Sequence, residues 1–182
     1  IFEKEEPHIL EINSKSGRYP LYMTYSIFRE RLKQWGNAGL LENPDKPTME
    51  EQRAVWDDVV THNIFVLCKT PMAVKITKRT LIGYRDVPVR ARCIDNLVDE
   101  IINNQEELVK KLKRGKSFWR TKLENNMIKF DAIVSNPPYQ DMDGGGGSSS
   151  TPLYNRFVEL AKAISPNYTT LIIPARWMTG GR

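Results

Sequence analysis

Apolar residues along this chain gather in short runs separated by longer amphipathic stretches, and the two periodicities divide it into strands and helices. Residues 8–12, 63–68, 89–94, 130–135 and 169–174 are brief runs rich in Ile, Val, Leu, Phe and Thr, as strands are. The last of them is expected to be buried. Residues 19–33 read as a helix: Leu21, Tyr22, Tyr25, Ile27 and Phe28 recur near helical spacing, and Pro20 sits in the first turn. Thr48 and Glu51 have the spacing of a capping box that opens a helix running to about His62. Pro71 opens another helix over Met72, Ala73, Val74, Ile76 and Leu81, residues 97–125 form one long charged helical stretch, and Pro152 begins a last helix with Leu153, Tyr154, Phe157, Val158, Leu160 and Ala161 inward. Strands that each wait for a helix before the next predict an α/β fold with a mainly parallel sheet. Residues 31–62 read as a helical excursion beside this core. Residues 141–151, with four glycines and three serines in a row, read as a flexible loop suited to a flap over a bound nucleotide.

The run from Phe130 to Ser135 stops abruptly at Asn136-Pro137-Pro138-Tyr139. Two successive prolines lack N–H groups and have fixed φ, so strand pairing ends and the backbone stiffens. The Asn136 amide, the Pro137 carbonyl and the Tyr139 ring are thereby held with little freedom. An amide oxygen and a carbonyl can accept the two N–H bonds of a planar amine while an aromatic ring stacks on its face. An ordinary strand-end turn uses the same residue types and is the alternative. Upstream, the strand at 8–12 leads through Asn13-Ser14-Lys15-Ser16-Gly17 into a helix, the arrangement in which loop amides and a helix N-terminus meet an anionic or nucleotide ligand.

Asp131-Ala132-Ile133-Val134-Ser135-Asn136-Pro137-Pro138-Tyr139-Gln140 resembles the catalytic motif of S-adenosylmethionine-dependent amino-methyltransferases, specifically the adenine-N6 DNA methyltransferases of restriction–modification systems. RNA methyltransferases and the protein-glutamine methyltransferases of release factors share the tetrapeptide and are the alternative enzymes. The resemblance implies a Rossmann-like, doubly wound sheet of order 3-2-1-4-5, ending here after the fifth strand. Residues 1–182 would then form a partial catalytic domain without its target-recognition region. It also implies S-adenosylmethionine as cofactor, with Asn136, Pro137, Pro138 and Tyr139 as the catalytic group and Glu11, Asn13, Ser14 and Gly17 around the cofactor. Asp95, after the third strand, would accept a bond from the cofactor's adenine amine, or else cap the next helix with Asn96. The implied partner is double-stranded DNA with a flipped adenine, along with restriction or specificity domains of the same enzyme, in the cytoplasm and away from membranes. No metal or covalent nucleophile is called for. Two positions depart from the family pattern: Lys15 occupies the first glycine position of the loop, and Cys68 or Thr70 falls where a ribose-binding acid is expected. Those departures motivate a third alternative, a methyltransferase-like module that holds DNA or a subunit and has lost its cofactor.

Composition adds a charge argument. The 182 residues carry a formal net charge of +5, which favours polyanionic partners. Lys110, Lys111, Lys113, Arg114, Lys116, Arg120 and Lys122 form a basic run interrupted by Phe118 and Trp119. It is either a solvated helix face or a phosphate-contacting surface. Lys110, Lys111, Lys113 and Arg114, with Arg176 beyond the last strand, are the candidate nucleic-acid contacts, and Trp119 is expected in the core. Cys68 and Cys93 fit no metal-ligand spacing and are expected to be small buried hydrophobes. No apolar run approaches the roughly 20 residues that span a bilayer. The chain opens on Ile1 and closes on Gly180-Gly181-Arg182 just after a strand-like run, so both ends are expected to lie within a longer protein.

Overall fold

A computed structural model describes residues 1–120, 127–139 and 152–175. Five strands, β1 (Ile9–Ser14), β2 (Ile64–Cys68), β3 (Arg90–Cys93), β4 (Ala132–Ser135) and β5 (Tyr168–Leu171), form one sheet in the order β3-β2-β1-β4-β5. Every pairing in it is parallel. This is the doubly wound α/β arrangement that the pattern predicts, with the expected strand order.

Helices cover both faces because the central strands are apolar on both. On one face Ile9, Ile64, Val66, Cys68, Ala91 and Ala132 pack against Met23 and Ile27 of α1 (Arg18–Asn37), Val59 of α2 (Met49–His62) and Ala73 of α3 (Pro71–Ile82). On the other face Leu10, Ile12, Phe65, Leu67 and Ile133 meet Leu97 and Ile101 of α4 (Leu97–Asn103), Leu108 and Leu112 of α5 (Gln105–Lys113), and Phe157, Leu160 and Ile164 of α6 (Tyr154–Ile164). Trp119 is in this second core as expected, edge-on to Phe65 at 5.2 Å, with its indole N–H donated to the Leu112 carbonyl at 2.7 Å. The capping box at Thr48 is complete: Glu51 N–H donates to the Thr48 hydroxyl and Thr48 N–H to the Glu51 carboxylate.

Four expectations change. The face of α1 that turns inward is Pro20, Met23, Thr24 and Ile27, while Leu21, Tyr22 and Tyr25 are exposed. β1 continues two residues further than expected, through a register shift between Ile12 and Ser14. The long helix predicted over 97–125 breaks at Asn104, whose φ of −132° leaves the helical region, and ends in a π-helical turn at Gly115–Trp119. β5 is exposed along most of its length, because among the described residues it pairs only with β4.

Asp131, directly before β4, anchors three segments of chain. Its buried carboxylate accepts from the His8 N–H at 2.9 Å, the Lys4 ammonium at 2.8 Å and the Asn167 amide at 3.3 Å, while its carbonyl accepts from Tyr168 N–H. Removing the acceptor strands a backbone N–H beside the sheet. Asp131→Ala is expected to lower unfolding stability by about 2 kcal/mol and Asp131→Asn by less; equal midpoints for wild type and Asp131→Ala in urea would contradict this.

Candidate active site

The parallel register brings the two singled-out stretches together at the carboxyl edge of the sheet, where ligands bind in open α/β folds. Glu11 pairs with Val134 and Ile12 with Ser135, so the chain leaves β4 beside the end of β1. The Ser135 hydroxyl donates to the Ile12 carbonyl at 2.6 Å, and the Asn13 amide donates to the Asn136 carbonyl at 3.3 Å. Asn136 therefore starts from a backbone held on both sides. Its side chain and the Tyr139 ring are exposed, Pro137 is buried between them and Pro138 is half-buried. Among the described residues neither the Asn136 side chain nor the Pro137 carbonyl has a hydrogen-bond partner, which leaves both acceptors available. The Tyr139 carbonyl accepts from Leu153 N–H at 3.3 Å and so links the motif to the start of α6.

A pocket of about 480 Å³ opens here, lined by Glu11, Asn13, Lys15, Ser16, Gly17, Arg18, Tyr19, Tyr22 and Asn136. Asn13 and Gly17 take left-handed conformations, with φ of 72° and 74°. Lys15 does not, and its side chain is exposed. The loop's sharp bends thus fall on an asparagine and a glycine, both residue types that tolerate them, and not on the lysine in the first glycine position. α3 buttresses the loop: the Thr80 hydroxyl donates to the Ser16 carbonyl at 2.8 Å, and the Ser14 hydroxyl lies 3.5 Å from that of Thr77 and accepts from Gly17 N–H. A Cβ on Gly17 would stand 3.0 Å from Thr77 Cα. Gly17→Ala is therefore expected to cost about 2 kcal/mol, from the positive φ and that contact. A thermal scan showing no loss in midpoint would count against it.

Glu11 is the unusual group. It is 3% exposed, and its Oε2 has no hydrogen-bond partner. Burial pushes its carboxyl up to about 7, against a smaller opposing pull from the Ser14 hydroxyl. An unpartnered carboxylate oxygen in the wall of a pocket is matched by a ligand that brings its own N–H donors, such as an α-ammonium group. The donor-poor carboxylate of Glu11 thus fits the chemistry of the amino-acid end of S-adenosylmethionine, while Ser14 stays out of the pocket wall, its hydroxyl engaged by Gly17 N–H beside Thr77.

The nucleoside end has a different set of groups. Cys68 is sealed in the core beside the Thr77 hydroxyl, and burial raises its thiol to about 12, which removes it as a nucleophile or acceptor for ribose. Thr70 caps α3 by accepting from Ala73 N–H at 3.1 Å. Asp95 is exposed, accepts from the half-buried Cys93 thiol at 3.7 Å and does not line the pocket. Asn96 occupies the cap position of α4 without a side-chain cap bond. Burial as a small hydrophobe thus holds for Cys68 and only partly for Cys93.

The basic run is placed elsewhere. α5 descends from the carboxyl edge, and the Lys113 carbonyl accepts from Ile128 N–H at 2.7 Å, shortly before β4 begins. Lys110, Lys111, Lys113 and Arg114 therefore lie toward the opposite edge of the sheet from Asn136. Lys110 is paired with Glu107 at 2.7 Å, and the Lys111 ammonium sits 5.5 Å from the Phe118 ring centre. Arg176, Gln140 and the glycine–serine loop lie outside the described residues. Among those described, no group of three or more His, Cys, Asp and Glu could hold a metal ion, and no helix is long and apolar enough to cross a membrane. Sequence reasoning passed over Arg18, Tyr19 and Tyr22 as pocket residues. The signal was present in α1, where the stripe through Met23 and Ile27 leaves Arg18 and Tyr22 on the other side.

Known proteins resemble parts of this chain. A protein of Mycoplasma pneumoniae (strain ATCC 29342 / M129 / Subtype 1), called an uncharacterized adenine-specific methylase, is 43% identical over 54 residues, which is 29% of this chain and 13% of that protein. The match thus spans a small part of that relative's length. Residues 62–182, about two thirds of the chain and including the Asn136–Tyr139 motif, match the Eco57I restriction-modification methylase family, and the chain belongs to that family.

Proposed function

We propose that this chain carries the catalytic core of an enzyme that transfers a methyl group from S-adenosylmethionine to the exocyclic N6 amine of adenine in DNA, as the modification part of a restriction–modification enzyme working in the cytoplasm. The observation that carries this reading is the convergence on one pocket edge of the unpartnered Glu11 carboxylate and of Asn136, whose unengaged side-chain amide stands next to the unengaged Pro137 carbonyl and the exposed Tyr139. S-adenosylmethionine, when bound, supplies a methyl group on a sulfonium centre. Glu11 would accept from its ammonium, and the Ser14–Gly17 loop, fixed by Thr77 and Thr80, would frame it. The Asn136 amide oxygen and the Pro137 carbonyl would accept the two amine hydrogens of an adenine turned out of the duplex. These bonds orient the nitrogen and offset the positive charge that develops on it, and the surplus proton leaves to solvent. Tyr139 would stack on the base, worth roughly 1–3 kcal/mol, toward the few kcal/mol that unstacking costs.

The test uses the intact protein, DNA and donor labelled in the methyl group, followed by digestion to nucleosides. Label is expected in N6-methyladenine; label on protein or RNA and none on DNA would reject the reading in favour of the glutamine or RNA methyltransferases. The ends of β2 and β3, which present no ribose carboxylate to the pocket, favour one further reading, a DNA- or subunit-binding module without cofactor. Calorimetric titration with S-adenosylmethionine separates the two: micromolar binding by the intact protein excludes the cofactor-free module.

A further inference from the structure

We propose that the outer face of α1 is a track for the DNA strand that flanks the base held at Asn136–Tyr139; this inference rests on DNA being the substrate. The exposed positions of the helix include Arg18, Tyr22, Tyr25 and Arg29. At 3.6 residues per turn these four fall within roughly 60° of one another, so they form one stripe. Tyr22 is 76% exposed and Tyr25 51%, although the core face of the same helix is supplied by Pro20, Met23, Thr24 and Ile27. Tyr25 stacks on Phe28 at 6.4 Å and keeps about half its surface open, so neither tyrosine belongs to the core face of the helix.

The charges on this face are also unspent. Among the described residues Arg18 and Arg29 have no ion pair or hydrogen-bonded partner. By contrast Arg31, on another side of the helix, is tied to Asp58 and to the Glu5 carbonyl. No acid lies on the stripe; Glu30 is off it and paired with Lys33 at 2.8 Å. Two unpaired guanidinium groups flanking two exposed tyrosine rings match a chain of phosphates and bases, the combination used by proteins that hold nucleic-acid strands without reading their sequence. The stripe is continuous with the site, because Arg18 and Tyr22 line the same pocket as Asn136. From Arg18 to Arg29 the helix rises about 16 Å, roughly five nucleotide steps along one strand of a duplex. The basic run of α5 has neither property: it lies toward the other edge of the sheet, and Glu107 neutralises one of its lysines.

The test uses the intact protein and substitutions at Tyr25 and Arg29, which lie outside the pocket. Binding of a labelled mixed-sequence DNA duplex is followed by fluorescence anisotropy over a range of salt, with S-adenosylmethionine calorimetry and thermal unfolding in parallel. Tyr25→Ala with Arg29→Glu is expected to weaken DNA binding about tenfold and to flatten the slope of log K against log[salt] by about one unit. Arg29→Lys keeps the slope, and cofactor affinity and the unfolding midpoint stay as in wild type. Wild-type DNA affinity and slope in the double variant overturn the track alone. A lowered unfolding midpoint in that variant also overturns it, since Tyr25 would then be covered by another part of the protein. If wild type binds no DNA at all, the proposed substrate fails and takes the track with it.

Discussion

Replacing Asn136 by Ala is expected to slow methyl transfer about 10²–10³-fold, with the unfolding midpoint and DNA affinity close to wild type. The separation of rate from stability follows from where the residue sits. Its side chain is exposed and bonds no described residue, so folding does not depend on it. Its backbone is fixed from both sides, by Ser135 bonded to β1 and by two prolines that cannot rearrange. The amide is therefore carried on a fixed backbone when an amine arrives, and deleting it removes an interaction that strengthens as the nitrogen gains charge. Such an interaction acts on the transition state more than on bound substrate, so the loss falls on kcat with little change in KM. Asn136→Asp retains an acceptor at the same position and is expected to lose less than Asn136→Ala. Single-turnover transfer at saturating DNA and cofactor is the measurement. A kcat within a few-fold of wild type for Asn136→Ala would remove Asn136 from the chemistry.

The strand pattern was legible because it follows from local rules; the order of the sheet came from the family resemblance, and the meeting of Asn13 with Asn136 is a consequence of that order. Apolar runs buried on both faces specify a doubly wound sheet, and that topology brings the ends of β1 and β4 side by side. Features that depend on what a surface faces were not legible. Tyr22 and Tyr25 fit a helical apolar stripe as well as Met23 and Ile27 do, yet only the second pair turns inward. Spacing reveals that a helix has a face; packing decides which residues occupy it. The break at Asn104 had its signal in Asn103-Asn104, weak helix formers outweighed by the amphipathic pattern on either side, and the placement of Lys110–Arg114 depends on the direction α5 takes across the sheet. A family comparison alone counted Lys15 as a departure from the cofactor loop, because it transfers a glycine position without its φ. In this chain the left-handed turns are made by Asn13 and Gly17. The exposure of β5 could not be inferred from its apolar sequence, since burial there depends on a neighbour on its far side.

Glu11→Gln is expected to move stability and ligand binding in opposite directions. In the ligand-free protein the Glu11 carboxyl titrates at about 7 instead of 4.5 because it is buried without a counter-charge. A folded-state value above the unfolded one means that its contribution is fully present below pH 4.5. Between about 4.5 and 7 the unfolded chain gives up the proton and the folded chain keeps it, so stability falls as pH rises; above 7 the loss is complete. The total is about 3 kcal/mol, at 1.36 kcal/mol per pH unit. A neutral amide at this position removes the slope, so Glu11→Gln is expected to be more stable than wild type at pH 8 and equal to it near pH 4.5, in the absence of ligand. An ammonium group placed against the carboxylate reverses the balance by favouring the ionised form. Wild-type affinity for S-adenosylmethionine should then rise as pH increases from 6 to about 7 and level off above it, with proton release on binding in the lower range. Glu11→Gln should bind about 10–100-fold more weakly, the worth of one charge-assisted bond, and without that pH dependence. Calorimetry in two buffers of different ionisation enthalpy reads the proton release directly. Undiminished affinity in Glu11→Gln, or a wild-type stability that is flat from pH 5 to 8, would show that the buried carboxylate is not held in reserve for a cationic ligand.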